Sequence, residues 1–262
     1  MPHTGMTFDR DISSARIDTP PSIWGNPFLD LFLATGPVAC WFMFLAFFAI
    51  NPHWDLLVSS GFFDAELCAQ TANNHDFCQG FPAATDPILR AIRKTLQAIP
   101  PWVGLGILAW IVADWRVGLR WRDTGMLLRT AMVATLIIWP LLIVNGVLKA
   151  FWGRPRPWQS EPFGGDWPFV EAGLVTDYCA SNCSFVSGEA ASAGWIALLP
   201  LLFSPHYRLA AALVLIPCSL LMAGLRVSFG AHYASDVLLG YWGTIAVFAL
   251  TFVFLSRYTA KA

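Results

Sequence analysis

The chain has 262 residues, of which 56% are hydrophobic and only 13% charged. A typical soluble domain is about 25% charged, so this composition excludes a disordered protein and a coiled coil and leaves too little polar surface for a soluble enzyme. The formal net charge of −1 gives no bulk attraction to DNA or RNA, and no nucleic-acid partner is expected.

The expected fold is all-α, a polytopic membrane protein with six transmembrane helices. Residues 1–26 come first and are polar, with Asp9, Arg10, Asp11, Arg16 and Asp18 ahead of the helix-breaking Pro20-Pro21. They do not resemble a signal peptide, because acids and bases alternate and the next apolar run is long enough to span. A cytoplasmic N-terminal segment is expected, followed by one domain over 27–262. A span needs roughly 20 mainly apolar residues. Six stretches fit that pattern, at 27–50, 101–115, 125–151, 187–204, 208–227 and 233–256. The second is short and carries Asp114 near its end. Period-two alternation is absent, which disfavours a β-barrel.

Two long loops separate the early spans, at 51–100 and 153–185. The first holds Cys68, Cys78 and an amphipathic stretch near 84–98. There Ile88, Leu89, Ile92, Leu96 and Ile99 share one side, with Arg90, Arg93 and Lys94 elsewhere. Such a segment is expected to lie in the interface plane, its three cations touching anionic headgroups, with phosphate sensing as their alternative role. The second loop holds Cys179 and Cys183. Three disulfide pairings are open to four cysteines, and two local bridges, Cys68–Cys78 and Cys179–Cys183, are the economical choice. A zinc site is the rival, although no C-x-x-C or neighbouring histidine pair supports it. Cys40 and Cys218 fall inside spans and read as packing residues. The 13 Trp and 20 Phe read as interfacial belts and lipid contacts.

Six spans put both termini on one side. With a cytoplasmic N-terminus, nine of the 16 Lys and Arg are inside: Arg10, Arg16, Arg116, Arg120, Arg122, Arg129, Arg208, Arg257 and Lys261. The tight loop holding Arg116, Arg120, Arg122 and Arg129 weighs most, because short basic loops set orientation. The four loop cysteines are then outside, where disulfides persist.

Ionisable residues at the ends of apolar spans are functional candidates. Here they occur at Lys149 to Pro157, at Ser184 to Glu189 and at Arg226 to Asp236, and alternating spans bring all three places to one face. Lys149, Arg156 and Arg226 supply cationic donors, and arginine suits bidentate phosphate binding. Pro155 and Pro157 force extended backbone at Arg154 and Arg156. Ser187-Gly188 stands at a helix start, where free amides and the dipole favour an anion. His232 and Asp236, four apart, share a helix face, so the carboxylate is placed to orient the ring. A cationic clamp, a nucleophile and an orienting acid suit phosphoryl transfer through a phosphohistidine.

These segments resemble the signature of the type-2 phosphatidic acid phosphatase (PAP2) superfamily, which also includes vanadium haloperoxidases. Its pattern is K-x6-R-P, then P-S-G-H, then S-R-x5-H-x3-D. The chain has Lys149 with Arg156-Pro157, then Val186-Ser187-Gly188-Glu189, then Leu225-Arg226 with His232 and Asp236. The resemblance implies that Lys149, Arg156, Ser187, Gly188 and Arg226 bind phosphate, that His232 attacks phosphorus and that Asp236 orients it. It implies no metal or other cofactor. Val186, Leu225 and Glu189 depart from the pattern. Glu189 stands where the family has a histidine general acid. Either burial keeps it protonated and able to donate, or it pairs with Arg226 or Arg156.

The expected function is hydrolysis of a lipid phosphate monoester or diphosphate at the periplasmic face of a bacterial inner membrane. The long outside loops favour a bulky substrate such as lipid A. A lipid phosphotransferase with the same site is the near alternative. A non-catalytic binder or transporter of anionic lipids is the distant one, and the polar set at one face only speaks against transport.

Overall fold

The computed structural model describes residues 27–71, 78–119 and 123–261; the segment 1–26, and Arg120 and Arg122 of the basic loop, lie outside the described residues. The described chain is helical. In order come α1 (Pro27–Ile50), α2 (His53–Ser60), α3 (Ala65–Thr71), α4 (Pro82–Thr85), α5 (Pro87–Arg116) and α6 (Thr124–Leu136). A π-helical stretch, Ile137–Leu148, extends α6 and ends in α7 (Lys149–Phe151). Then follow α8 (Gly188–Leu198), α9 (Pro205–Ser228) and α10 (Ala234–Lys261).

Five helical segments are long and apolar enough to cross a membrane: Leu31–Ile50, Pro87–Arg116, Thr124–Phe151, Pro205–Ser228 and Ala234–Thr259. The protein is therefore a multi-pass helical membrane protein. The expected span at 187–204 is a shorter element, with 11 residues of α8 followed by four in a 3-10 turn, Leu199–Leu202. Pro200 lacks the N–H that an α-helical ladder needs, so the helix tightens there and stops. Its length is not dictated by lipid, because Ala190, Ala191, Ala193, Gly194, Trp195 and Ile196 are all buried in the bundle.

A second correction concerns residues 84–98. From Pro87 on they are the beginning of α5, continuous with the second span in one helix of 30 residues. Asp86 caps it by accepting from the Leu89 amide at 2.8 Å, and Pro87 opens the first turn, where its missing N–H is harmless. Thirty residues make about 45 Å of helix, longer than the ~30 Å apolar core of a bilayer. The first turns of α5, with Arg90 and Arg93, can therefore stand over the end of the bundle.

A third correction concerns tryptophan. Trp102 and Trp115 are exposed, as lipid contacts are. Trp41, Trp139, Trp195 and Trp242 instead donate their indole N–H to the carbonyls of Leu239, Gly240, Met132 and Pro37, at 2.9, 2.9, 2.8 and 2.9 Å. Each bond joins two helices. A buried indole N–H without water must find an acceptor inside the protein, so four side chains that read as lipid-facing act as interhelical ties.

The tightest seam runs between α8 and α10. A Cβ on Gly240 would lie 2.5 Å from the Ser187 carbonyl, so only glycine permits this approach. It lets the Ser187 amide donate to the Asp236 carbonyl at 3.0 Å, which couples two of the three candidate segments through backbone. By chain direction, α1, α7 and α9 end, and α5, α8 and α10 begin, at one end of the bundle. α2, α3, α4 and residues 152–187 cover that end. Both disulfides, Cys68–Cys78 and Cys179–Cys183, are in this covering, and no thiolate there is left for zinc.

Candidate active site

Backbone bonds gather the polar segments. The Cys183 amide donates to the Lys149 carbonyl at 3.2 Å and the Ser184 amide to the Arg154 carbonyl at 2.8 Å. The Trp158 amide donates to Gly230 at 3.1 Å, and the amides of Ala231 and His232 both donate to the Arg226 carbonyl at 3.1 Å. Lys149, Arg156 and Arg226 are close enough for their charges to act on His232.

His232 sits between α9 and α10 and is 1% exposed. Its Nδ1 lies 2.7 Å from the Ser184 carbonyl. A carbonyl only accepts, so Nδ1 carries the proton and Nε2 keeps its lone pair. Burial first, and then the charges of Arg226, Arg156 and Lys149, push the pKa of His232 well below the ordinary histidine value. The ring is therefore neutral near pH 7. A base whose folded-state pKa is lowered adds nothing to the pH dependence of stability above its unfolded pKa. As pH falls through the ordinary range near 6.5, the unfolded chain takes a proton that the folded chain refuses, and stability drops. We expect nitrogen-edited NMR of histidine-labelled protein to find His232 neutral and protonated at Nδ1 at pH 6. A ring half titrated there would contradict the assignment.

Asp236 is not the direct partner of that ring. Its carboxylate is 4.0 Å from Nδ1. It accepts from Ser184 Oγ at 2.5 Å, from Arg154 Nη1 at 2.7 Å and from the Tyr233 amide at 3.1 Å. Ser184 is thus held through its hydroxyl by Asp236 while its carbonyl holds His232.

Arg154 is fully buried, not a headgroup contact. It donates to Asp55 at 2.8 Å, to Asp236 at 2.7 Å, to Ser235 Oγ at 2.8 Å and to the Val170 carbonyl at 2.9 Å. Burial opposes its charge, but Asp236 and Asp55 outweigh burial and raise its pKa. Asp55, from α2, also accepts from the Ser235 amide and hydroxyl at 2.8 and 2.6 Å. Asp55, Arg154, Asp236 and Ser184 form one satisfied network that ends on the hydrogen bond to His232.

The clamp residues differ in their commitments. Arg226 is 4% exposed, and its Nε has no partner among the described residues. Arg156 donates to the Asn182 carbonyl at 3.2 and 2.7 Å and to Asn182 Oδ1 at 2.9 Å. Burial lowers its pKa, with Glu189 and Asp236 opposing. Lys149 lies within electrostatic reach of Arg156, Arg226, Glu189 and Arg93. Ser187 caps α8 by accepting from the Ala190 amide at 3.2 Å. A Cβ on Gly188 would meet Asn145 Oδ1 at 2.6 Å, so a larger residue here would have to displace the Asn145 side chain of the π-helical stretch.

Glu189 pairs with a residue that the sequence pattern did not single out. Arg93, from α5, donates Nε to Oε2 at 3.0 Å and Nη2 to Oε1 at 2.5 Å. Arg226 Nη1 is 3.4 Å from the same Oε1. Two guanidinium groups favour a carboxylate, which presents acceptors and no proton. Glu189→Gln is expected to tighten inhibition by inorganic phosphate about tenfold, because a negative charge beside the clamp is gone. It should lower kcat less than tenfold, as checked by steady-state rates with phosphate as inhibitor. A general acid would instead show a loss on the order of 10²-fold or more.

Arg93, Asp55, Ser184 and Asn182 belong to the site and lie outside the motif positions. Asp55 had one legible signal, a lone acid within His-Trp-Asp-Leu-Leu-Val. A cavity of about 860 Å³ opens beside the clamp, with Arg90, Arg93, Arg156 and Arg226 in its wall. Among the described residues, no group of three or more His, Cys, Asp or Glu is placed to hold a metal ion.

Residues 124–260 match the model of the PAP2 superfamily. The chain is 41% identical over 212 residues to a lipid A 4'-phosphatase of Rhizobium leguminosarum, covering 80% of this chain and 90% of that one. It is 39% identical to a lipid A 4'-phosphatase of Rhizobium etli, over 80% and 82%. It is 28% identical to a lipid A 4'-phosphatase of Francisella tularensis subsp. novicida, over 87% and 93%. No solved structure matches. The family model begins at α6 and takes in Lys149, Arg156, Ser184, Arg226, His232 and Asp236 but not Asp55 or Arg93, and the chain belongs to the PAP2 superfamily.

Proposed function

We propose that this membrane phosphatase removes the 4'-phosphate of lipid A, with His232 as the nucleophile. The observation that carries the mechanism is the 2.7 Å bond from His232 Nδ1 to the Ser184 carbonyl, which leaves the Nε2 lone pair free beside Arg226, Arg156 and Lys149. Nε2 attacks phosphorus, and a P–N bond forms as the P–O bond to the sugar breaks. The sugar oxygen takes a proton from solvent. Water then attacks the phosphoryl group, the P–N bond breaks, and inorganic phosphate leaves with neutral His232 restored. The three cations and the first amides of α8 face the charge that builds on the phosphoryl oxygens.

The substrate assignment rests on the relatives, all three named lipid A 4'-phosphatase. The proposed location is a bacterial inner membrane, with both termini cytoplasmic and the site periplasmic. Two observations support that orientation. Both disulfides cover the site end, as an oxidising compartment allows. Arg116 and Arg129 lie towards the other end, where α5 stops and α6 starts.

Phosphate release by the detergent-purified chain tests the substrate. The panel is lipid A, undecaprenyl diphosphate, phosphatidylglycerophosphate and phosphatidate, each with and without EDTA. Lipid A is expected to react fastest, with EDTA making no difference, because the site's donors are cations and an imidazole. Faster release from another lipid, or none from lipid A, would overturn the substrate assignment.

A further inference from the structure

The cavity walled by Arg156 and Arg226 holds more positive charge than one phosphate consumes. Its wall carries Arg90, Arg93, Arg156 and Arg226 and, among the described residues, no Asp or Glu. Arg93 is matched by Glu189. A phosphate monoester brings a charge of about −1.5 to −2 near neutral pH, which Arg156 and Arg226 answer. Lys149 adds to them. Arg90 is therefore surplus to the reacting group.

Arg90 is also set apart in space. It lies one turn before Arg93 on the same face of α5, nearer the helix start at Pro87 and so nearer the aqueous end. It is exposed and has no side-chain partner among the described residues. It is not among the principal charges acting on His232, Arg226, Arg156 or Lys149. Gln79 shares the wall with it and supplies a neutral amide donor, whereas the Thr85 hydroxyl already donates to the Pro82 carbonyl at 2.9 Å.

We propose that Arg90, with Gln79, is an accessory anion subsite that receives a second anionic group, phosphate or carboxylate, carried by the same lipid molecule whose phosphate reacts at His232. The inference deepens the phosphatase assignment and rests on it. It makes the cavity selective for lipids with two separated anionic groups. The reacting phosphate sits in the clamp, and the second group docks one helical turn further out.

The test compares lipid A carrying both phosphates with its 4'-monophosphoryl form, in neutral detergent micelles, on the full-length protein. A charge-assisted hydrogen bond at a half-open rim is worth about tenfold in affinity. The ratio of kcat/KM for the two lipids is therefore expected to be about ten or more. Arg90→Gln should bring it to within about threefold of unity. Lys94→Gln, an exposed cation of the same helix that does not line the cavity, should keep the preference. Equal efficiency on both lipids in the wild type would remove the subsite and leave the phosphatase standing. A preference that survives Arg90→Gln would do the same. Phosphatidylglycerol added to the micelles offers the anion on a neighbouring molecule; if it raises monophosphoryl turnover to the two-phosphate level only while Arg90 is present, the same-molecule claim falls. Absence of release from both lipids would remove the phosphatase assignment and the subsite with it.

Discussion

His232→Ala is expected to lower kcat by about 10⁴-fold or more, since losing the proposed covalent nucleophile would remove the reaction path and leave only binding and electrostatics. KM should change little, because the cations that hold the phosphate remain. Alanine also removes the donor to the Ser184 carbonyl, which invites a structural explanation for the loss. His232→Gln separates the two effects, because its amide can still donate a hydrogen bond but is not nucleophilic. Both variants should be inactive, and the glutamine variant should unfold in detergent close to the wild type. The complementary measurement is a rapid acid-free quench with radiolabelled substrate. A P–N bond survives alkali and is lost in acid, so wild-type protein should carry an alkali-stable label that both variants lack. Turnover above about 1% of wild type in the glutamine variant would exclude the histidine route.

The second large effect is expected at Arg154. Arg154→Met keeps most of the volume but strands two buried carboxylates, Asp55 and Asp236, both at 0% exposure. Breaking a buried ion network by removing one partner costs about 3–5 kcal/mol. Denaturant unfolding in detergent should show a loss of that order, and kcat/KM should fall about 10²-fold or more through the loosened Ser184 and His232. Adding Asp55→Asn to Arg154→Met removes one stranded charge. It should recover part of the stability without recovering kcat, because Asp236 still lacks the guanidinium that fixes it. Recovery of both together would make Arg154 a purely structural residue. A stability loss under about 1 kcal/mol in the single variant would contradict the buried network itself.

The network has a consequence for the family pattern. Arg154 and Asp55 act on the histidine at two removes, through Asp236 and Ser184, so their variants should change kcat much more than KM. Glu189 belongs to the opposite group. It touches the clamp cations, so its variants should move phosphate affinity first. One site thus contains a positioning network on the α2 side and a charge-balancing pair on the α5 side, with His232 between them.

Composition alone determined that this chain lives in a membrane, because 56% hydrophobic residues cannot be covered in water. Length and apolar character located five spans, since apolar runs near 20 residues answer to bilayer thickness and need no tertiary contact to be recognised, while the expected sixth at 187–204 is a shorter buried helix. The spacing of Lys149, Arg156, Arg226, His232 and Asp236 marked the candidate site for a similar reason: each segment's geometry is local, and alternating spans bring the segments to one end. The partners of those residues were not legible. Asp55 lies 99 residues from Arg154, and Arg93 lies 96 from Glu189. Hydrogen bonds over such distances depend on how helices dock and leave no period in the sequence. The same holds for the four tryptophans that tie helices together, since a lipid-facing and a helix-facing indole have one composition. The continuity of residues 87–98 with the second span was not legible, because Arg90, Arg93 and Lys94 lie outside the apolar run; Pro100 and Pro101 are accommodated inside α5. Only packing decided which carbonyl holds His232, which arginine is spent on Glu189 and which is left over.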